Sequence, residues 1–382
     1  MIPTGVINDG PAFPVRSNIL TKMPVAYTDD LKAYVDELAD LRYNMIYIPI
    51  FVSQDSDQSA KLEETKKIFA YCKSRFIEPS PYFETFGAGT VTLMLDPCLV
   101  EGIYHENETW TVSNEGIIDL DVPKILDCQN TSIHISTKDG KELKRYIDFK
   151  VLSTNKPKIL IEDTNLFNKE LVLSYDAVDF SGFPHKASCP SDPHGWEIME
   201  NFIKNVLNEF EPKSIHISQD EAGYVNKCSR CLSRGLSNQE IMIDQINKVH
   251  QIIRKYDNDV TIYIWGDMFN DLQNAPKIGA TGIVKELPKD IGVHDWNYIG
   301  VYHSDKMKTV NQMNFYLDKG YKTGGVAWFE PANVLDILLT GEAHKDLFLG
   351  VMHSEWARFG QSLLPVAEAN WTGKTILGDL KF

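Results

Sequence analysis

Two adjacent acidic residues follow an apolar segment near the middle of the chain. In "SIHISQDEAG" (214–223) the apolar run ends at Asp220 and Glu221. Side chains alternate between the two faces of a strand, so both carboxylates can face one pocket only where the strand ends. Two carboxylates in one pocket can divide general acid and general base work, because their surroundings move their pKa values apart. The simpler interpretation is the start of a solvated loop, or a helix cap provided by Asp220.

Aromatic and acidic residues also follow other predicted strands. Sugars bind well to such groups, because their apolar ring faces stack on indoles while their hydroxyls take hydrogen bonds from carboxylates and arginine. Any single tryptophan is more often core packing, but several at strand ends favour a carbohydrate site. The segments are "YDAVDF" (175–180), "WGD" (265–267), "HDWNY" (294–298), "WFE" (328–330) and, farther on, "HSEWARFG" (353–360).

Short apolar runs alternate with segments of helical period along the chain. This alternation predicts β-α units and a parallel sheet, and eight units favour a closed α/β barrel, the (β/α)8 TIM barrel. Function is then expected on the loops after the strand C-termini. The predicted strands are 13–20, 44–51, 75–83, 171–178, 214–220, 260–267, 291–298 and 322–329.

One long stretch interrupts this rhythm. Between Val91 and Asp163 no convincing helix is present, whereas "TSIHIST", "YIDFKVL" and "KILIED" have strand character and "KDGK" (138–141) is a hairpin signal. We predict a small β-rich insertion between the third and fourth barrel strands. Residues 1–90 then form the first part of the TIM barrel, 91–165 the inserted β-rich subdomain and 166–382 the remainder of the barrel.

Composition narrows the class of partner. A formal net charge of −15 argues against binding to nucleic acid or to an anionic membrane surface. Apolar stretches such as "NMIYIPIF" are far shorter than the roughly 20 residues that span a bilayer. The first residues, "MIPTGVINDGPAFPVR", lack the pattern of a secretory signal, so we expect either a cytoplasmic location or a segment of a longer precursor. Six cysteines in 382 residues are too few for a disulfide scaffold.

The chain resembles glycoside hydrolase family 20, the β-N-acetylhexosaminidases. "SIHISQDEAG" is similar to the His-x-Gly-Gly-Asp-Glu signature of that family, with Ser218 and Gln219 where the family prefers glycines. "NDGPAFPVRSNIL" (8–20) resembles the opening of the first strand, with Ser17 in place of a glycine. "IEPSPYFETFGAG" (77–89), "WGDMF", "DWNY" and "LGVMHSEWA" follow in the family's order, so the resemblance covers about 1–90 and 165–365.

This resemblance implies a retaining mechanism in which the substrate's 2-acetamido oxygen attacks the anomeric carbon and forms an oxazolinium intermediate. Asp220 would orient the acetamido group, and Glu221 would act as acid and then as base. No cofactor or metal is expected, and the partner is an N-acetylhexosamine glycoside. The implied substrate contacts are Arg16 on the ring hydroxyls, His216 beside the ring or in the core, Trp265, Trp296 and Trp328 as walls, Asp267 with Tyr298 or Tyr302 as hydrogen-bonding groups, and Glu355 with Trp356 on the outer hydroxyls.

Three alternatives stay open. "CSRC" (228–231) could be half of a zinc site, but no second Cys/His pair lies nearby, so a reduced or disulfide-bonded loop pair is preferred. "HDWNYIGVYHSD" (294–305) contains His294 and His303, which would serve a metal-assisted hydrolase. A catalytically inactive sugar-binding barrel is the third, because a fold does not determine an activity.

Overall fold

A computed structural model describes residues 10–20, 26–50, 58–128, 133–178, 186–296, 298, 306–328, 331–354 and 363–374. The chain divides into two compact units. Unit 1 comprises Met1–Phe83, Phe202–Asp220 and Asn247–Phe382, and unit 2 comprises Glu84–Asn201 and Glu221–Ile246. The boundary therefore falls on the peptide bond between Asp220 and Glu221.

The strands of the described residues are, in chain order, β1 (Ser17–Ile19), β2 (Met45–Pro49), β3 (Glu78–Tyr82), β4 (Ile103–Thr111), β5 (Ile117–Asp119), β6 (His134–Thr137), β7 (Phe149–Ser153), β8 (Lys158–Ile161), β9 (Glu170–Ala177), β10 (Ser214–His216), β11 (Thr261–Trp265), β12 (Ile291–Trp296), β13 (Thr323–Ala327) and β14 (Phe348–Ser354). The α-helices are α1 (Asp29–Asp40), α2 (Gln58–Ser74), α3 (Thr90–Leu93), α4 (Pro193–Phe210), α5 (Ser229–Leu232), α6 (Asn238–Tyr256), α7 (Lys306–Leu317), α8 (Pro331–Ala343) and α9 (Leu363–Thr372).

Unit 1 is a closed barrel of eight parallel strands, in the order β1-β14-β13-β12-β11-β10-β3-β2. Closure is made by β1, in which Ser17 pairs with Met352 on one side and with Met45 on the other. The predicted TIM barrel and the position of its insertion, between the third and fourth barrel strands, are confirmed.

The predicted fourth barrel strand, 171–178, was wrong. It forms β9, which pairs antiparallel with β4 and β6 in unit 2. The fourth barrel strand is β10, and the eighth is β14, which the sequence analysis did not count as a strand. Periodicity cannot separate these two segments, because β9 has five consecutive buried residues at its C-terminal end and resembles a central parallel strand.

Helix α1 shows how sequence signals place the elements around the barrel. Thr28 caps it as predicted, because its hydroxyl accepts a hydrogen bond from Leu31 N at 3.3 Å. Leu31, Val35 and Leu38 are buried on one helix face at helical spacing. In unit 1, the hydroxyl of Tyr34 accepts a hydrogen bond from Asn18 Nδ2 at 2.8 Å.

Unit 2 contains the β-rich insertion as two three-stranded sheets, β4-β9-β6 and β5-β8-β7. Its apolar core includes Ile135, Phe149, Ile159 and Leu173. The "KDGK" segment reverses the chain, since Ser136 forms an antiparallel bridge with Glu142 and Gly140 has φ +87°. A disulfide joins Cys98 to Cys128. Within the residues described, no helix has the length and apolar character needed to cross a bilayer.

Candidate active site

The acidic pair lies where the sequence places it, after the C-terminal end of a barrel strand. Backbone pairing with β11 continues past β10, because Ile217 N donates to Tyr263 O and Trp265 N donates to Ser218 O, each at 2.9 Å. The Ser218 hydroxyl then donates a hydrogen bond to the Asp220 carboxylate. Asp220 is partly exposed at this edge of the barrel, the edge at which TIM-barrel enzymes carry their catalytic groups.

The backbone of this segment is strained. Three non-glycine residues have left-handed φ angles: Ser218 at 59°, Gln219 at 87° and Glu221 at 47°. Such a conformation costs roughly 1–2 kcal/mol for a residue with a Cβ atom, whereas glycine adopts it freely. This explains physically why a glycine pair suits the positions of Ser218 and Gln219. Strain of this kind persists where the surrounding structure holds it, and it is concentrated at functional sites.

The barrel lumen is filled by aromatic rings. The rings of His216 and His294 are parallel, with centroids 5.4 Å apart, and Tyr47 meets both edge-on at 5.3 and 5.5 Å. The indole of Trp265 lies 4.4 Å from His216 and donates from Nε1 to Tyr82 Oη at 3.3 Å. We call these five residues the lumen cluster. All are buried, so His216 and Trp265 form the floor of the site rather than an open wall.

Both histidines of the lumen cluster are neutral. Burial lowers the pKa of His294 to about 3, and burial together with the neighbouring His294 lowers the pKa of His216 well below its usual range. His216 Nδ1 accepts from Ser218 N at 3.1 Å, which assigns its proton to Nε2. Among the described residues, His216 Nε2, His294 Nδ1 and Tyr47 Oη find no hydrogen-bond partner. Buried polar atoms are usually paired, so the lumen cluster is a polar floor rather than ordinary core.

An aromatic wall stands after β12 and β13. Trp296 stacks on Tyr298 with ring centroids 5.6 Å apart and an interplanar angle of 17°, and Trp328 meets Tyr298 at 5.0 Å and 62°. Gln273 Nε2 donates to Trp296 O at 2.7 Å and holds this end of β12. The three rings are partly exposed, which leaves aromatic surface for a ligand. The structure thus brings these predicted residues together.

Asp267 lies in the first turn after β11 and is fully buried. Its carboxylate accepts from Asn274 Nδ2 at 2.6 Å, and its carbonyl accepts from Asn274 N at 3.0 Å. These two hydrogen bonds join the start and the end of the loop segment 267–274. The structure therefore gives Asp267 a loop-anchoring position, enclosed rather than open to a substrate.

Arg16 lies at the N-terminal end of the first barrel strand. It precedes β1, and its Nε donates to Arg42 O at 2.7 Å while its guanidinium lies 5.5 Å from the ring of Trp371. In a parallel barrel the strand N-termini share one mouth, which is opposite the mouth that carries Asp220. Arg16 therefore lies toward the N-terminal mouth, and its contact with the sugar stays a prediction. The motif placed the arginine beside the first strand without specifying which end.

Other predicted contacts lie outside the described residues, namely Glu355, Trp356, Tyr302 and His303. Sequence reasoning missed Tyr47 and Tyr82, which belong to the lumen cluster. A usable signal was present, because each is a tyrosine in a short, mostly buried strand of five residues.

No protein-family model matches the sequence, and no curated protein matches it either. Solved structures do match. A β-N-acetylhexosaminidase from Bacteroides fragilis NCTC 9343 superposes with a TM-score of 0.54 at 14% identity, covering 95% of this chain and 67% of that one. A second β-N-acetylhexosaminidase gives 0.54 at 13%, covering 97% and 74%. A family 20 β-N-acetylglucosaminidase gives 0.50 at 13%, covering 95% and 70%.

The fold resembles that of glycoside hydrolase TIM barrels. At these identities the similarity establishes the fold of the chain and not its substrate.

Proposed function

We propose that this chain is a retaining glycoside hydrolase that removes terminal β-linked N-acetylhexosamine. The observation that carries the proposal is the Asp220–Glu221 pair, which follows β10 at the C-terminal edge of the barrel on a strained backbone. The hydrogen bond from Ser218 to Asp220 and the aromatic wall of Trp296, Tyr298 and Trp328 add support. The similarity of fold to family 20 barrels agrees with this assignment.

In the proposed reaction the acetamido oxygen of the substrate forms a bond to the anomeric carbon as the glycosidic bond breaks. Glu221 gives its proton to the leaving oxygen, and the substrate becomes a bicyclic oxazolinium ion. Asp220 accepts a hydrogen bond from the acetamido N–H and balances the developing positive charge. Water then attacks the anomeric carbon and transfers a proton to Glu221, which restores the acetamido group and the protonated acid.

Ser218 contributes by orientation. Its hydroxyl donates to the Asp220 carboxylate and so fixes the orientation of the group that would accept from the acetamido N–H. The aromatic wall offers apolar faces to the sugar ring and to the acetamido methyl group. The neutral imidazoles of the floor add no positive charge beside the developing cation.

The test is hydrolysis of 4-nitrophenyl N-acetyl-β-glucosaminide and of its galacto epimer. Asp220→Asn and Glu221→Gln should each lower kcat/KM by about 10²–10⁴-fold, the usual contribution of a positioned acid or base. Asp295→Asn is the matched control, because Asp295 is buried in β12 and alternation with His294 points it away from the lumen. A wild-type chain inert on both substrates, or a fully active Glu221→Gln variant, would contradict the proposal.

One observation favours a second candidate, a sugar-binding barrel without catalysis. Ser218 and Gln219 stand where the resembled family has glycines, and a changed catalytic loop accompanies loss of activity in some enzyme-like folds. Titration with N-acetylglucosamine, followed by tryptophan fluorescence, separates the two. Saturable binding without hydrolysis of either aryl glycoside would establish the binding protein. Loss of hydrolysis on adding EDTA, together with a metal ion bound at His294, would instead favour the metal-assisted alternative.

A further inference from the structure

Unit 2 contains a buried cluster of three thiols and one carboxylate. Glu101, Cys189, Cys228 and Cys231 place one donor atom each so that all four lie within 4.8 Å of one another. Cys189 Sγ lies 3.5 Å from Cys228 Sγ and 3.6 Å from Cys231 Sγ, and Glu101 Oε2 lies 3.3 Å from the sulfur atoms of Cys228 and Cys231. We propose that this cysteine–glutamate cluster is a structural zinc site.

The spacing fits tetrahedral zinc. With Zn–S near 2.3 Å and Zn–O near 2.0–2.2 Å, a regular tetrahedron separates sulfur atoms by about 3.8 Å and sulfur from oxygen by about 3.5 Å. The distances in the cluster are shorter than these values by 0.2–0.3 Å, which a bound ion would absorb with small side-chain movements. A disulfide would need sulfur atoms about 2.05 Å apart, and these three cysteines are unbonded.

The carboxylate is already oriented toward the thiols. Glu101 Oε1 accepts hydrogen bonds from Lys227 N at 2.7 Å and from Cys228 N at 3.0 Å, which leaves Oε2 facing the sulfur atoms. The Ser191 hydroxyl lies 3.1 Å from Cys231 Sγ and donates to it. Bonds that fix the ligands in this way surround metal sites generally.

A second set of bonds holds the segment that leads into Glu101. The Arg230 guanidinium donates to the carbonyls of Cys98 at 3.1 Å and Val100 at 2.8 Å, and it pairs with Asp192 at 3.0 Å. Arg230 stands between the two cysteines of the C-x-x-C pair. The same turn therefore supplies two ligands and positions a third.

Once the thiols ionise, burial makes a bound cation favourable. Each of the four residues is no more than 3% exposed. Ionised groups buried this deeply are found paired or bound to metals, because their transfer from water is costly. When zinc binds, the thiol protons pass to solvent and no electrons are transferred. Four protein ligands close the coordination sphere, which is the pattern of a structural site and not of a catalytic one.

The site would connect three distant parts of unit 2. Cys189 is 39 residues before Cys228, and Glu101 is 127 residues before it. Cys228 in turn lies seven residues after Glu221 in the chain. Zinc would therefore fix the segment that begins with Glu221 to the β-rich insertion. The inference does not depend on the proposed hydrolase activity.

The decisive measurement is the metal content of the full chain, purified in reducing buffer without a metal-affinity step and supplied with zinc during expression. Mass spectrometry of the elements should find about one zinc per chain. Cys228→Ser and Cys189→Ala should each remove most of it, whereas Cys72→Ala, a buried free cysteine of unit 1, should keep it. Replacement of zinc by cobalt should give the intense visible absorption of a tetrahedral thiolate complex.

A measurement on the wild type guards against variants that do not fold. Titration of the thiols with a mercurial, in the presence of a colorimetric zinc indicator, should release one zinc as three thiols react. Removal of zinc with a chelator should then expose Cys189, Cys228 and Cys231 to alkylation before Cys72. Zinc-free wild type, equal zinc loss in the Cys72 variant, or a disulfide between two cluster cysteines would overturn the proposal. Activity toward aryl glycosides plays no part in these readouts.

Discussion

Replacement of His294 by asparagine tests the lumen cluster quantitatively. An unfolded histidine titrates near 6.5, whereas burial lowers the pKa of His294 to about 3 in the folded chain. The folded state therefore binds fewer protons than the unfolded state between these values. The stability associated with the neutral imidazole is fully present above pH 6.5, and it is lost as the pH falls toward 3.

The magnitude follows from linkage. At pH 7 an unfolded imidazole is mostly neutral, and the penalty for keeping His294 neutral is only about 0.2 kcal/mol. At pH 5 the unfolded imidazole is almost fully protonated, and the penalty rises to about 2 kcal/mol. The variant has no group to protonate at this position. The difference in unfolding free energy between wild type and His294→Asn should therefore change by about 2 kcal/mol between pH 7 and pH 5, in favour of the variant.

Urea unfolding at the two pH values measures this change, and comparison of the two proteins removes contributions that they share. The comparison matters because burial raises the pKa of Asp295 to about 7, and this carboxyl favours the folded state as the pH falls. Tyr47→Phe is the control, since it removes a polar atom of the same cluster that does not titrate in this range. Parallel pH dependences of wild type and His294→Asn would refute a buried neutral imidazole.

Four further changes probe other parts of unit 1. Ser218→Ala removes the donor to Asp220 and should lower kcat about 10–100-fold with the fold retained, because a hydrogen bond to a charged group contributes roughly 1.5–3 kcal/mol. Steady-state kinetics measures kcat, and circular dichroism checks the fold. An unchanged kcat would count against the orienting role of Ser218. Trp265→Ala should destabilise the barrel by about 3–5 kcal/mol in urea, as expected for a buried indole. Trp328→Ala should instead leave stability nearly unchanged and weaken N-acetylglucosamine binding roughly tenfold, the loss of about 1.4 kcal/mol from one stacking contact. If Trp265→Ala and Trp328→Ala changed stability and binding equally, the division into floor and wall would be contradicted. Phe76→Gly should raise the unfolding free energy by about 1 kcal/mol, because Phe76 is 92% exposed and has φ 60° at the end of α2; a lower midpoint in thermal unfolding would show that its side chain contributes to packing.

Local sequence signals predicted the barrel because its strands and helices carry the expected periods. The strand assignment was wrong where two segments show the same pattern of apolar residues. The segment 171–178 and β14 are both short, apolar and buried on both faces, and only long-range pairing decides which one joins the parallel sheet. Arg16 leaves a related question open, since a motif beside a strand does not show at which mouth of the barrel the side chain lies.

The cysteine–glutamate cluster was out of reach for the same physical reason. The C-x-x-C pair was visible, but its partners are brought in by the folding of the insertion rather than by spacing along the chain. A search for nearby cysteines or histidines therefore returned half of a site. The lumen cluster was also incompletely predicted, because the resemblance left His216 either beside the sugar ring or in the core and gave no inward position for His294.

Ser218 and Gln219 are the chief departures from the resembled signature, and the geometry shows why they do not by themselves argue against catalysis. Both residues keep the left-handed backbone that glycine adopts freely, so the path of the chain toward Asp220 is preserved at a cost of roughly 1–2 kcal/mol for each. For Ser218 that cost is offset by its hydrogen bond to the Asp220 carboxylate, since such bonds contribute about 1.5–3 kcal/mol. Glycine at this position would relax the backbone and leave the carboxylate without this donor. Serine at this position therefore strains the backbone, but its hydrogen bond fixes the orientation of the Asp220 carboxylate, which the proposed mechanism requires.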